Sequence, residues 1–177
     1  YLTDPEALFA EESRPPAFDD LTEQAVWEPL HNLLGHCLFR PVTAGPEKLL
    51  AALIGLGPGL TPLADDILCG LLAGGHALCE KVASPALRRL TETIAPAAAK
   101  ATTGATTLQS AAFLESAAAG EHFGMLDAVL AAFALEDSVA TQNTVDALLG
   151  VGHTSGPGML LGLFIAVQLA LPGRLST

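Results

Sequence analysis

Two glycine-rich stretches hold most of the chemistry available to this chain of 177 residues. Gly55-Leu56-Gly57-Pro58-Gly59-Leu60 runs into Thr61-Pro62, and Gly150-Val151-Gly152-His153-Thr154-Ser155-Gly156-Pro157-Gly158 runs into a strongly apolar segment. Glycine lets a backbone approach a ligand closely and take positive φ. Open N–H groups at a helix start, with the positive end of the dipole behind them, suit an anion. Gly57, Gly59, Thr61, Gly152, Thr154 and Ser155 are therefore candidate ligand-binding residues. His153 is the candidate catalytic acid–base group, flanked by the hydroxyls of Thr154 and Ser155. Neither stretch is a Walker A motif, since no Gly-Lys-Ser/Thr follows, nor a strand-anchored GxGxxG. The competing reading is structural: tight interhelix turns, with Gly70xxxGly74 and Gly158xxxGly162 serving close helix packing.

Asp65-Asp66 lie one turn into the helix that Thr61-Pro62 opens. Two acids beside such a loop suit Mg²⁺, which binds through few carboxylates plus ligand oxygens. The alternative is a helix-dipole device worth about 0.3–1 kcal/mol. Adjacent helical positions point about 100° apart, so Asp65 is expected to face the first loop and Asp66 to reach the Gly152–Ser155 turn. A third feature is Thr103, Thr107 and Ser110, which share one face of a helix. Thr107 and Ser110 would then line a polar pocket opposite the loops, or bond back to their own preceding turn. No Lys or Arg occurs between Leu49 and Glu80, or between Ala101 and Gly173. An anion near the loops must rely on backbone N–H groups, hydroxyls, a metal, or a cation from another subunit.

The elements that carry these residues read as helices throughout. Residues 1–20 are acidic and proline-bearing, a lead-in or linker from a region further upstream, and 21–177 read as one α-helical domain. Helical spacing of apolar residues covers 21–38, with Pro29 a kink, and then 47–54. Thr61 as N-cap and Pro62 as first residue open a helix to about Val82. Ser84-Pro85 opens another to about Ile94. An Ala/Thr/Ser-rich helix is expected over 97–119, and shorter ones over 123–135 and 137–149. The last helix, Gly158 to Leu171, is apolar on every side and belongs in the middle of the bundle. The expected fold is an all-α multi-helix bundle with two Gly-rich interhelix loops and a central apolar C-terminal helix.

Composition sets limits on function. Half of the residues are hydrophobic and only 15% are charged, which excludes general disorder. A formal net charge of -11 opposes nucleic-acid binding. The longest apolar run falls short of the roughly 18 residues of a membrane span, so no membrane role is expected. Three cysteines without metal-type spacing point away from a disulfide framework and toward a reducing cytoplasm. His31, His36, His76 and His122 have no partner pattern and read as structural or surface residues.

Gly55 to Pro62 with Asp65-Asp66, Thr106-Thr107-Leu108-Gln109-Ser110-Ala111-Ala112-Phe113-Leu114, and Gly152-His153-Thr154-Ser155-Gly156 occur in that order. Together they resemble a bacterial family of domains of unknown function that includes AllH-type subunits of oxamate carbamoyltransferase, in purine (allantoin) catabolism. The resemblance covers about residues 48–171. Where that family usually has Ser-Gly ahead of the paired acids, this chain has Leu63-Ala64, and family members carry an N-terminal region found here at most in part. The resemblance implies reversible carbamoyl transfer between carbamoyl phosphate and oxamate, with oxalurate cleaved by phosphate in the catabolic direction. It also implies a small anionic metabolite as ligand and other carbamoyltransferase subunits as partners. A homo-oligomer stays open. Two alternatives remain: a non-catalytic structural subunit, and a metal-dependent hydrolase using Asp65, Asp66 and His153. The second would need more carboxylates or histidines than these blocks supply.

Overall fold

The computed structural model describes residues 20–39, 46–101, 104–121 and 123–171. Among them are eight helices and no strand: α1 (Asp20–Phe39), α2 (Glu47–Leu53), α3 (Leu63–Cys79), α4 (Pro85–Ala101), α5 (Leu108–Ala118), α6 (Gly124–Ala134), α7 (Ser138–Leu149) and α8 (Ser155–Ala170). The all-α expectation is met. Most of the acidic lead-in, together with Thr103 and His122, lies outside the described residues.

Every residue of α3 from Leu63 to Gly75 is buried. Its main neighbour is α8, the all-round apolar helix, and the two pack along their lengths. Glycines on both sides make this approach possible. A Cβ on Gly70 would collide with the Met159 carbonyl, and one on Gly162 with the Ile67 carbonyl. The helices touch backbone to backbone, so the packing role expected of Gly70xxxGly74 and Gly158xxxGly162 is real.

Around this pair, Leu30, Leu33 and Leu34 of α1, Leu50 and Leu53 of α2, and Leu87, Leu90 and Ile94 of α4 complete the larger apolar cluster. A smaller one joins Ala73, Leu126, Val129, Leu148, Met159 and Leu163. Burial of such side chains stabilises by about 1.5–3 kcal/mol each. Among the described residues no helix is long and apolar enough to cross a membrane.

Several boundaries differ from expectation. α4 does not stop at Ile94 but runs through Pro96 to Ala101. Pro96 is on the exposed side, while Ala97 and Ala98 are buried against the core. Packing there outweighs the helix-breaking tendency of proline. The single helix expected over 97–119 is in fact the end of α4, a turn with Gly104 at φ 73, and α5. Thr107 is the α5 N-cap rather than part of a helical stripe, its side chain accepting from the Ser110 N–H. α8 starts at Ser155, three residues earlier than expected. α3 starts at Leu63, with Pro62 and not Thr61 in the cap position.

Candidate functional site

The first loop folds back over the start of α3. Gly55 has φ 84, and a Cβ there would collide with the Ala105 carbonyl. Gly57 has φ 113, and a Cβ would stand 2.7 Å from the Leu63 nitrogen. Only glycine meets both demands. The turn brings the Leu56 carbonyl to 3.0 Å from the Ala64 N–H. Asp65 and Asp66 N–H both donate to the Pro62 carbonyl, at 3.0 and 3.1 Å. In the second loop the Gly156 N–H donates to the Val151 carbonyl at 3.0 Å, and Pro157 has no N–H. Much of the donor capacity at both helix starts is thus already used inside the chain.

Asp65 is fully buried and fully used. Its Oδ1 accepts from the Gly55 N–H at 2.8 Å. Its Oδ2 accepts from the Thr106 hydroxyl at 2.5 Å and the Ser110 hydroxyl at 2.6 Å. The carboxyl therefore fastens the first loop, α3 and the start of α5 at one point. Thr107 adds a second tie, donating to the Leu60 carbonyl at 2.5 Å. Leu60 and Leu108 stay exposed beside it.

Asp66 points elsewhere. The hydroxyls of Ser155 and Thr61 hydrogen-bond its carboxyl, and those two hydroxyls lie 2.7 Å apart. The two glycine loops meet through this three-residue cluster. Gly158 permits it, since a Cβ there would come within 3.0 Å of the Asp66 Cβ. Burial pushes the Asp66 carboxyl up to about 7, against the lowering effect of the Ser155 and Thr61 hydroxyls, and the Asp65 charge pushes the same way as burial. Its Oδ2 is buried with no hydrogen-bond partner. Cys69, one turn further along α3, is buried too, and its thiol is pushed up by desolvation and by both acids.

The structure thus brings Thr61, Asp66 and Ser155 together, and ties Ser110 and Thr107 to the same region through Asp65 and Leu60. Gly57, Gly59, Gly152 and His153 lie on the exposed outer turns of the two loops, with Thr154 half-buried beside them. The acids face apart: Asp65 to the first loop and α5, Asp66 to the second loop. No group of three or more His, Cys, Asp or Glu side chains among the described residues is placed to hold a metal. With Asp65 occupied by three donors, a cation at the junction would meet one carboxylate. Leu63 and Ala64 are buried in the core, Leu63 against Gly158, so that departure from the family pattern is absorbed by packing.

Sequence reasoning missed Thr106 as a site residue. Its signal was its place directly before a Thr-x-x-Ser helix start, where a second hydroxyl is free to turn back toward α3.

A family model, oxamate carbamoyltransferase subunit AllH, matches residues 53–167, well over half of the chain. The matched span holds both loops, the paired acids and the Thr106–Ser110 segment. No curated protein and no solved structure matches the chain.

Proposed function

The chain belongs to the oxamate carbamoyltransferase subunit AllH family, and we propose that the Thr61–Asp66–Ser155 junction is its share of a composite carbamoyl-transfer site. The observation that supports this reading is the meeting of the two glycine loops at one point, with Thr61 and Ser155 in direct hydrogen-bond contact. The ligand is a small carboxylate or phosphate: oxamate or oxalurate, and carbamoyl phosphate. In the catabolic direction a phosphate oxygen attacks the carbamoyl carbon of oxalurate. The C–N bond to the oxamate unit breaks, its nitrogen takes a proton, and carbamoyl phosphate and oxamate result.

Such a step needs donors where charge gathers on the carbamoyl oxygen. The Thr61 and Ser155 hydroxyls and the remaining N–H groups of the two turns supply part of that need. His153, exposed on the same turn, fits proton delivery to the leaving nitrogen. Both loop regions lack Lys and Arg, so the anionic groups require cations from the other subunits that a subunit family implies. Free cysteines at 37, 69 and 79 accord with a cytoplasmic setting.

A second reading, a structural subunit without catalytic groups, is favoured by one observation. The side chains of Asp65, Thr107 and Ser110 are all bonded within the chain. Assay of the reconstituted multi-subunit enzyme with Ser155→Ala and His153→Gln chains separates the two. Loss of turnover with unchanged assembly supports the composite site, whereas full turnover leaves the structural subunit.

A further inference from the structure

Asp66 is 1% exposed, and its Oδ2 is buried with no hydrogen-bond partner. Its sequence neighbour shows how this fold treats a carboxylate that only holds structure together: three donors occupy both oxygens of Asp65. A buried acceptor left open is uncommon and calls for a donor. That donor is not a Lys or Arg of the loop regions, because they contain none. It must also be compact, since Asp66 is almost wholly buried, with the half-buried Thr61 and Ser155 beside it. It must be uncharged or share its ligand with cations elsewhere, because a carboxyl repels phosphate and carboxylate.

We propose that Asp66 accepts a hydrogen bond from a primary amide N–H₂ of the substrate, the group carried by oxamate and by the transferred carbamoyl unit. This rests on the reading of the junction as part of the carbamoyl-transfer site and adds which end of the substrate this chain reads. A planar amide offers two N–H groups. One meets Asp66 Oδ2, and the other reaches a hydroxyl of Thr61 or Ser155 once their mutual bond opens. Hydroxyls rotate between donating and accepting, so the same pair can then serve the amide oxygen. The neutral amide end lies on this chain, and the anionic end projects outward past the exposed loop turns.

Oxamate and pyruvate provide the test, because they share charge and shape and differ in N–H₂ against CH₃. The full chain, labelled with ¹⁵N, is titrated with each while the backbone amides of Gly57, Gly152 and Ser155 are followed by NMR. Oxamate is expected to bind at least about tenfold more tightly than pyruvate, and in Asp66→Ala that ratio should fall toward one. Equal affinity for the two ligands in the wild type overturns the amide assignment and leaves the junction as a carboxylate site. A preference for oxamate that survives in Asp66→Ala also overturns it. If neither ligand moves the loop amides, with the partner subunits added as well as without them, both the assignment and the composite-site reading fall. The wild-type comparison stands whether or not the variant folds.

Discussion

Asp65 and Asp66 are adjacent in sequence, yet one closes the first glycine loop and the other meets the second. Asp65 takes the Gly55 N–H and the hydroxyls of Thr106 and Ser110. Asp66 meets Ser155 and Thr61 and keeps one oxygen open. The 100° step between neighbouring helical positions accounts for the division. The pair is therefore not one acidic site but a fastener beside a candidate ligand group.

Removing the fastener should be costly. Asp65→Ala leaves the buried Ser110 hydroxyl, the Thr106 hydroxyl and the Gly55 N–H without their acceptor, and about 2–4 kcal/mol of stability should be lost. Ser110→Ala removes one donor of the three, and about 1 kcal/mol is expected. Urea denaturation of the two variants measures both. Equal losses would show that the loop is anchored elsewhere.

Asp66 gives stability a defined pH dependence. Its carboxyl stands near 7 in the folded chain against an ordinary value of 3.8. Below about pH 4 both folded and unfolded chains hold the proton. Between there and pH 7 only the folded chain does, so the contribution falls as pH rises and is gone above the folded value. Asn at this position has no proton to lose. The urea midpoint of Asp66→Asn should drop less between pH 5 and pH 8 than that of the wild type. Parallel pH profiles would mean that the carboxyl is not held near neutrality.

The helix pair should reject a single methyl group. In Gly162→Ala the new Cβ meets the Ile67 carbonyl and stands 2.6 Å from the Leu71 nitrogen. Relief requires α3 and α8 to separate, at a cost of about 3 kcal/mol or more. Gly35→Ala on α1 has no atom within 4 Å of its added Cβ. It should be neutral or stabilising by about 0.5–1 kcal/mol. Thermal melts of the two variants provide the contrast.

The isolated chain should bind phosphate or carbamoyl phosphate weakly, with millimolar affinity at best. Neither loop region has a Lys or Arg, and the N–H groups of residues 64, 65 and 66 are bonded within the chain. Calorimetric titration checks this, and micromolar binding without partner subunits would contradict the shared-site reading.

The two hydroxyl-proline pairs explain what sequence can and cannot disclose. Ser84-Pro85 behaves as read: Pro85 is the first residue of α4, and the Ser84 hydroxyl accepts from the Leu87 N–H at 3.3 Å. Thr61-Pro62 carries the same local signal, but the Thr61 hydroxyl serves Ser155 instead, 94 residues away. Local pattern specifies which residues can cap, and tertiary contact decides whether they do. Pro96 is similar, since nothing nearby in the chain announces that Ala97 and Ala98 will be buried. The angular difference between the two acids was legible because it depends on helical geometry alone, and the ordered motifs were legible through their resemblance to a known family. The engagement of Thr106, and the use of Ser110 and Thr107 inside the chain, depended on α5 starting at Leu108, which an Ala-rich stretch conceals.

At Gly70 and Gly162, α3 and α8 meet through carbonyls and bare α-carbons, so no side chain at those two crossings could be trimmed to adjust their separation. Asp66 rides on one helix and Ser155 begins the other, so the span between them is set by the backbone contacts at those glycines. Substitutions in the outer turns, at Pro58, Leu60 or His153, can change what the junction recognises without changing that span. Among family members, ligand preference is then expected to vary through loop chemistry while the span from Asp66 to Ser155 stays constant.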